Sequence, residues 1–261
     1  MAHRYILVWF SGGLLGVGGC SVYVPMQGAA PEIRAKGEME ATASWSLTNR
    51  VDFSATYSPL PHLLVRAAAS LKGSGRSGSD SASYAQNNQY ELAVGTYWPL
   101  GEHWLLGGLA GFGQAHAKAQ YADDGHTLLH LGVYQPRQHL FDAIYSKYSG
   151  EAYATWQPSP SVSMGLSYRL VQLRLTDVTD QGVPVQAAPI LRSEPMLYFR
   201  FRPTSNDGLL QLQLAIGGST TFKYNEQTAT DKDDPARQFK VGRSYVSLGL
   251  AFYPHMLWKK N

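Results

Sequence analysis

From Lys36 onward apolar side chains recur at every second position, in about ten segments separated by clusters of Pro, Gly, Asn, Asp and Ser, and that period of two commits the chain to β-structure. Met39, Ala41, Ala43 and Trp45 share one face of the first segment. Val51, Phe53, Ala55 and Tyr57 continue it across Leu47-Thr48-Asn49, while Glu38, Glu40, Thr42, Asp52 and Ser54 take the other face. The split repeats down the chain: Leu63, Val65, Ala67, Ala69 and Leu71 oppose Arg66, Ser70 and Lys72, and Tyr90, Leu92, Val94, Thr96 and Trp98 oppose Glu91. Ala152, Ala154 and Trp156 oppose Glu151, Leu166 and Tyr168 oppose Arg169, and Leu197, Phe199 and Phe201 oppose Arg200 and Arg202. One face carries essentially no charge. With only 16% charged residues, 26 glycines and 16 tyrosines, the composition also suits strands and turns better than helices.

Alternation does not say whether the apolar face points into a soluble core or out into lipid, because both architectures share the period. Three further signals choose lipid. Several apolar faces run for about nine residues and then turn polar, as at Gln114, His116 and Lys118, which matches the 9–11 residues of a tilted membrane-crossing strand. Connections alternate between short (58–61, 99–103, 157–160, 203–208) and long (73–88, 121–147, 176–193, 223–239), the pattern of periplasmic turns and outer loops. Tyr57, Trp98, Trp104, Trp156, Phe201 and Phe252 all lie beside the short turns or the C-terminus and would form one interfacial girdle. The fold expected is an all-β, antiparallel, up-and-down transmembrane barrel of about ten strands. The competing expectation is a soluble periplasmic barrel binding an apolar ligand in the lipocalin manner, with the Leu/Val/Phe face inward and the charged face outward.

The N-terminus carries a second instruction. Arg4 precedes a mostly apolar run from Tyr5 to Leu15, and Gly18-Gly19 stand immediately before Cys20, the single cysteine of the chain. The run is too short to span a bilayer as a helix, so it reads as a lipoprotein signal peptide, cleaved between Gly19 and Cys20, with the Cys20 thiol acylated. The expected organisation is a signal peptide over residues 1–19, a lipid-anchored tether over 20–35, a barrel over 36–254 and a C-terminal tail over 255–261. The tether has no 3.6 period and contains Pro25 and Pro31. With an even strand number both ends of the barrel fall on the short-turn side, which places the Cys20 acyl chains in the inner leaflet of an outer membrane.

These residues resemble a group of lipobox-bearing outer-membrane β-barrel proteins of Gram-negative bacteria. The likeness rests on Cys20 followed by Tyr23-Val24-Pro25, on Lys36-Gly37-Glu38 opening the first strand, on Tyr57-Ser58-Pro59 with His62, and on hairpins recurring to Phe252-Tyr253. It implies a barrel and no particular activity.

A barrel of this size has a narrow lumen, and the interior face would bring Glu38, Glu40, Asp52, Glu91 and Glu151 against Arg66, Lys72, Arg169, Arg200 and Arg202. Such charges are expected to pair and plug the lumen. The alternative is an anion-guiding channel lined by Arg169, Arg200 and Arg202. Enzymatic signals are thin: Gly75-Arg76-Ser77-Gly78-Ser79 is not a nucleophile elbow, and His116 with Asp123 or Asp124 could serve only as the rim residues of a lipid-modifying barrel enzyme. His126 and His130, followed by His139 and Asp142, and the acidic Asp231, Asp233 and Asp234, read as solvated loop residues. No catalytic residue, metal or cofactor is therefore expected. With 22 basic against 19 acidic side chains and no basic block, neither is nucleic acid. The expected role is structural or surface-binding through the outer loops. The expected partners are outer-membrane lipid and the machineries that process lipoproteins and assemble barrels.

Overall fold

The computed structural model describes residues 22–26, 28–76, 84–122, 138–203, 208–224 and 235–258; the signal segment, Gly19 and Cys20 lie outside the described residues. Its strands are β1 (Met39–Ser46), β2 (Arg50–Tyr57), β3 (Leu64–Arg76), β4 (Tyr84–Leu100), β5 (Trp104–Ala122), β6 (Gln138–Ser159), β7 (Val162–Asp180), β8 (Val183–Pro184), β9 (Ile190–Phe201), β10 (Leu210–Thr221) and β11 (Arg243–Phe252). All pairings are antiparallel. The ring closes where β1 pairs with β11 (Ala43 opposite Leu250) and where β6 and β9 both pair with β7. The two-residue β8 only flanks the end of β7, so the wall is a closed barrel of ten strands.

The faces fall as the alternation requires for a lipid-facing wall. Leu92, Val94, Leu166, Leu212 and Leu248 project outward, Leu212 being 53% exposed, whereas Glu91, Arg169 and Arg200 are buried inside. A soluble lipocalin-like barrel needs the reverse, and that expectation is corrected: placing this wall in water would expose a continuous apolar belt. Among the described residues no helix is long and apolar enough to cross a membrane. Tyr57, Trp98, Trp104, Trp156, Phe201 and Phe252 stand on the outer wall at the end bearing connections 58–63, 101–103, 160–161 and 202–209. There Trp104 stacks on Trp156 at 6.1 Å and Trp98 on His62 at 4.2 Å.

Three expectations need correction. First, the long connections are shorter than their composition suggests, because strands continue into them. Lys72 pairs with Asn87 and Arg76 with Tyr84, while β5 and β6 stay paired to Ala122 and Gln138. At 22 residues β6 is about twice what a tilted membrane strand requires, so the wall extends beyond the apolar band at this end. Gly, Ala, Ser, Asn and Gln can continue a ladder once neighbouring strands supply its hydrogen bonds, which is why composition alone misplaced the ends. Second, β1 begins at Met39, because Gly37 takes a left-handed turn at φ 81°. Third, the C-terminal residues are not a free tail: His255–Trp258 form a helical turn, and His255 Nδ1 lies 2.9 Å from the Met39 carbonyl.

Inside the wall, three glycines face tyrosines across the ladder: Gly107 opposite Tyr153, Gly165 opposite Tyr198 and Gly217 opposite Tyr245. Each ring lies over its glycine, so that a Cβ at Gly165 would stand 2.3 Å from Tyr198 Cζ. The glycine creates the space and the ring covers the bared backbone. Gly165→Ala should displace Tyr198, break its 2.5 Å hydrogen bond with Thr155, and cost about 1–3 kcal/mol in urea titrations in lipid vesicles. An unchanged midpoint would mean that the ring moves aside freely.

Candidate functional site

The lumen is filled by the protein's own N-terminal segment: the described part of the stretch expected as an extended tether runs inside the barrel. Val22, Tyr23, Val24, Pro25, Met26 and residues 28–33 are all buried. The segment has no regular structure of its own, so its backbone groups need partners from the wall. Arginines and amides projecting from the strands provide them. Asn87 Nδ2 donates to the Val22 carbonyl at 3.3 Å, Gln89 Nε2 to Val24 at 2.9 Å, Arg169 Nη1 to Met26 at 3.0 Å and Arg200 Nη2 to Ala30 at 3.2 Å; Arg50 Nη1 donates to the Pro25 carbonyl. The small residues Gly28, Ala29 and Ala30 let the chain pass close to those side chains, and a Cβ on Gly28 would meet Arg66 Nη1 at 3.6 Å.

Charges are arranged around this segment in three tiers. At the middle, Glu91 receives Arg169 at 2.8 Å and both Arg66 and Lys147 at 3.4 Å, while Glu151 receives Arg66 at 2.8 Å. Towards the short turns, Arg200 grips Glu40 through both carboxylate oxygens and also bonds Gln213 and Tyr253, and Arg202 and Ser163 bond Glu32 of the segment. Towards the other end, Glu194 accepts from Tyr23 at 2.7 Å, and the Arg192 guanidinium lies 4.6 Å over the Tyr23 ring. Arg192 also donates to the Phe239 and Val241 carbonyls, which ties the 235–241 stretch over the same end of the lumen. Apolar contacts complete the seal there: Val22 and Tyr23 pack with Phe141, Tyr145, Leu173, Ile190 and Phe239.

Of the charged residues singled out from sequence, Glu40, Asp52, Arg66, Glu91, Glu151, Arg169 and Arg200 lie inside, with Asp52 paired to Arg50 at 2.9 Å. Glu38 sits instead at the short-turn rim, accepting from the Arg34 and Ala35 amides, and Arg202 lies at the same rim. Glu32, Arg50, Lys147, Arg192 and Glu194 were missed. Strand parity could have found the last four, since Arg50 shares the face of Asp52 and Arg192 and Glu194 that of Arg200. Glu32 lies outside any strand and had no such signal. Arg169, Arg200 and Arg202 are bonded to carboxylates and to the segment, an arrangement that does not match an anion pathway.

The histidine readings change as well. His116 Nε2 meets Asp142 Oδ1 at 2.6 Å, with Lys118 on the other oxygen at 2.9 Å, on the outer wall beyond the apolar band. Partial desolvation opposes ionisation of Asp142, but the bonds from Lys118 and His116 outweigh it and hold the carboxyl below its ordinary range. Among the described residues no serine or threonine hydroxyl bonds His116. His139 is three residues from Asp142 on β6 and so points to the opposite face, into the barrel, where it meets Asp180 at 2.6 Å. The two therefore cannot share a metal. Asp123, Asp124, His126, His130, Ser77, Ser79, Asp231, Asp233 and Asp234 lie outside the described residues.

No family model and no curated protein matches the chain. Among solved structures, the outer membrane protease OmpT from Escherichia coli is similar, with a TM-score of 0.51 at 8% identity over 83% of this chain and 93% of that one. The translocator domain of the autotransporter NalP from Neisseria meningitidis matches at a TM-score of 0.47 and 9% identity over 85% and 90% of the two chains. LpxR from Salmonella typhimurium matches at 0.36 and 6% over 83% and 99%. A shared barrel carries many activities, so the likeness speaks for architecture alone. This chain has the closed, antiparallel, ten-stranded fold of outer-membrane β-barrels.

Proposed function

We propose that the protein is a lipid-anchored outer-membrane barrel sealed by its own N-terminal segment, with a structural or surface-binding role through the connections at the far end of its strands. The supporting observation is the filled lumen. Five wall side chains bond consecutive stretches of segment backbone, Arg50, Arg66, Arg169 and Arg200 are paired with carboxylates, and Arg192 is bonded to Ser219 and to the Phe239 and Val241 carbonyls, an arrangement that fills the lumen rather than lining a path for a solute. Lipid faces the Leu/Val/Phe wall, and the aromatics beside the short turns sit at the periplasmic interface. Lipoprotein-processing enzymes act first on the Gly19–Cys20 junction, and the barrel-assembly machinery then inserts the strands. The full-length processed protein, reconstituted in a planar bilayer, should give no unitary current steps at moderate voltage. Stable open steps from the unmodified protein would reject the sealed-barrel reading.

A further inference from the structure

The direction in which the segment runs carries a consequence for the cell surface. Its contacts progress in one sense along the barrel axis. The Val22 amide donates to the Gln238 carbonyl at 3.2 Å, beside Phe239 and Phe141, at the end bearing connections 47–49, 77–83, 123–137, 181–189 and 222–242. Met26 is bonded by Arg169 at mid-barrel. Glu32 is held by Arg202 and Ser163, and Arg34 Nη1 lies 3.4 Å from the Trp104 carbonyl at the short turn 101–103. From Val22 to Arg34 an extended chain covers roughly 40 Å, more than the apolar band of about 25 Å.

We infer that residues 22–35 make an additional pass through the outer membrane inside the barrel, so that the chain upstream of Val22 leaves through the mouth that faces the cell exterior. This rests on the outer-membrane reading proposed above, in which the short turns with their aromatic residues are periplasmic and the overlong strands project outward. Cys20 is two residues from Val22, within about 7 Å of extended chain. On this inference an acyl group on that thiol is presented at the cell surface, where the sequence reading puts it in the inner leaflet.

Labelling of intact Gram-negative cells with a membrane-impermeant maleimide tests this in the full-length lipoprotein, whose own thiol is acylated. Ser21→Cys reports the upstream end, Asn49→Cys the β1–β2 turn and Glu102→Cys a short turn. Ser21→Cys and Asn49→Cys should label alike, each about ten-fold above Glu102→Cys, which should react only after permeabilisation. A second variant, with a Gly/Ser-flanked epitope inserted after Ser21, should bind antibody on intact cells and guards against a Ser21 thiol shielded by the mouth. If Asn49→Cys labels while the Ser21 thiol and the epitope are both protected, the direction of threading is overturned and the barrel reading stands. If Glu102→Cys labels and Asn49→Cys does not, the membrane orientation fails and the inference fails with it.

Discussion

Glu91→Gln should destabilise the folded barrel by about 3–5 kcal/mol, because it removes the central carboxylate from a buried group that contains more cations than anions. Arg66, Lys147 and Arg169 face only the two carboxylates of Glu91 and Glu151, and the Glu91 side chain is only 1% exposed. Glutamine keeps the volume and can still accept a hydrogen bond, so the change isolates charge from packing. It leaves three cations to one carboxylate in a site where water cannot screen them. Urea titration in lipid vesicles, followed by tryptophan emission, measures the loss. Adding Lys147→Met should recover part of it, since two neighbours of one network are not additive. A loss below about 1 kcal/mol would show that enough water reaches the middle tier to solvate the guanidinium groups, contrary to a sealed lumen.

Arg200→Met should cost a similar 3–5 kcal/mol, and it should also loosen the segment itself. Arg200 bonds Glu40 at 2.8 and 3.0 Å, Gln213 at 3.0 Å, Tyr253 at 2.8 Å and the Ala30 carbonyl at 3.2 Å. Methionine fills much of the space but leaves Glu40 buried with only neutral donors, the Tyr253 hydroxyl and the Glu32 amide. Arg200→Lys retains the charge and loses the two-pronged grip, so it should fall between wild type and methionine. Hydrogen exchange supplies a readout specific to the segment: amides around Ala30 to Ile33 should lose protection in Arg200→Met before those of β4 and β5 do. Unchanged protection there, despite a lowered urea midpoint, would mean that the segment is held by Glu32 and its apolar contacts and not by Arg200. The same network predicts that Gln213→Arg is also costly, although Gln213 faces the lumen. An arginine there would replace the acceptor for Arg200 Nε with a second buried cation.

The wall was legible because its signal is local. A period of two, read from Met39 to Phe252, assigns every side chain to one of two faces, and the nine-residue apolar runs with aromatics at one end distinguish lipid from a soluble core. Parity extended to Arg50, Lys147, Arg192 and Glu194 would have completed the lumen charges. Strand ends were less legible: the polar and small residues at 72–76 and 85–88 carry little propensity, and only a partner strand across the ladder decides that they continue.

What the sequence by itself determined is the barrel wall, its inward charges and its hairpin order, since each depends on neighbours a few residues away or directly opposite. The contents of the lumen were decided only in the tertiary structure. Residues 22–35 show neither period, and many of the groups that hold them are backbone carbonyls, which every residue possesses and which therefore leave no mark in the sequence. Their partners stand 25 to 170 positions away, from Arg50 on Pro25 to Arg200 on Ala30, and come together only when the ring closes. The direction of the segment through the lumen, from Val22 at the Gln238 carbonyl to Arg34 beside the Trp104 carbonyl, was fixed by that closure.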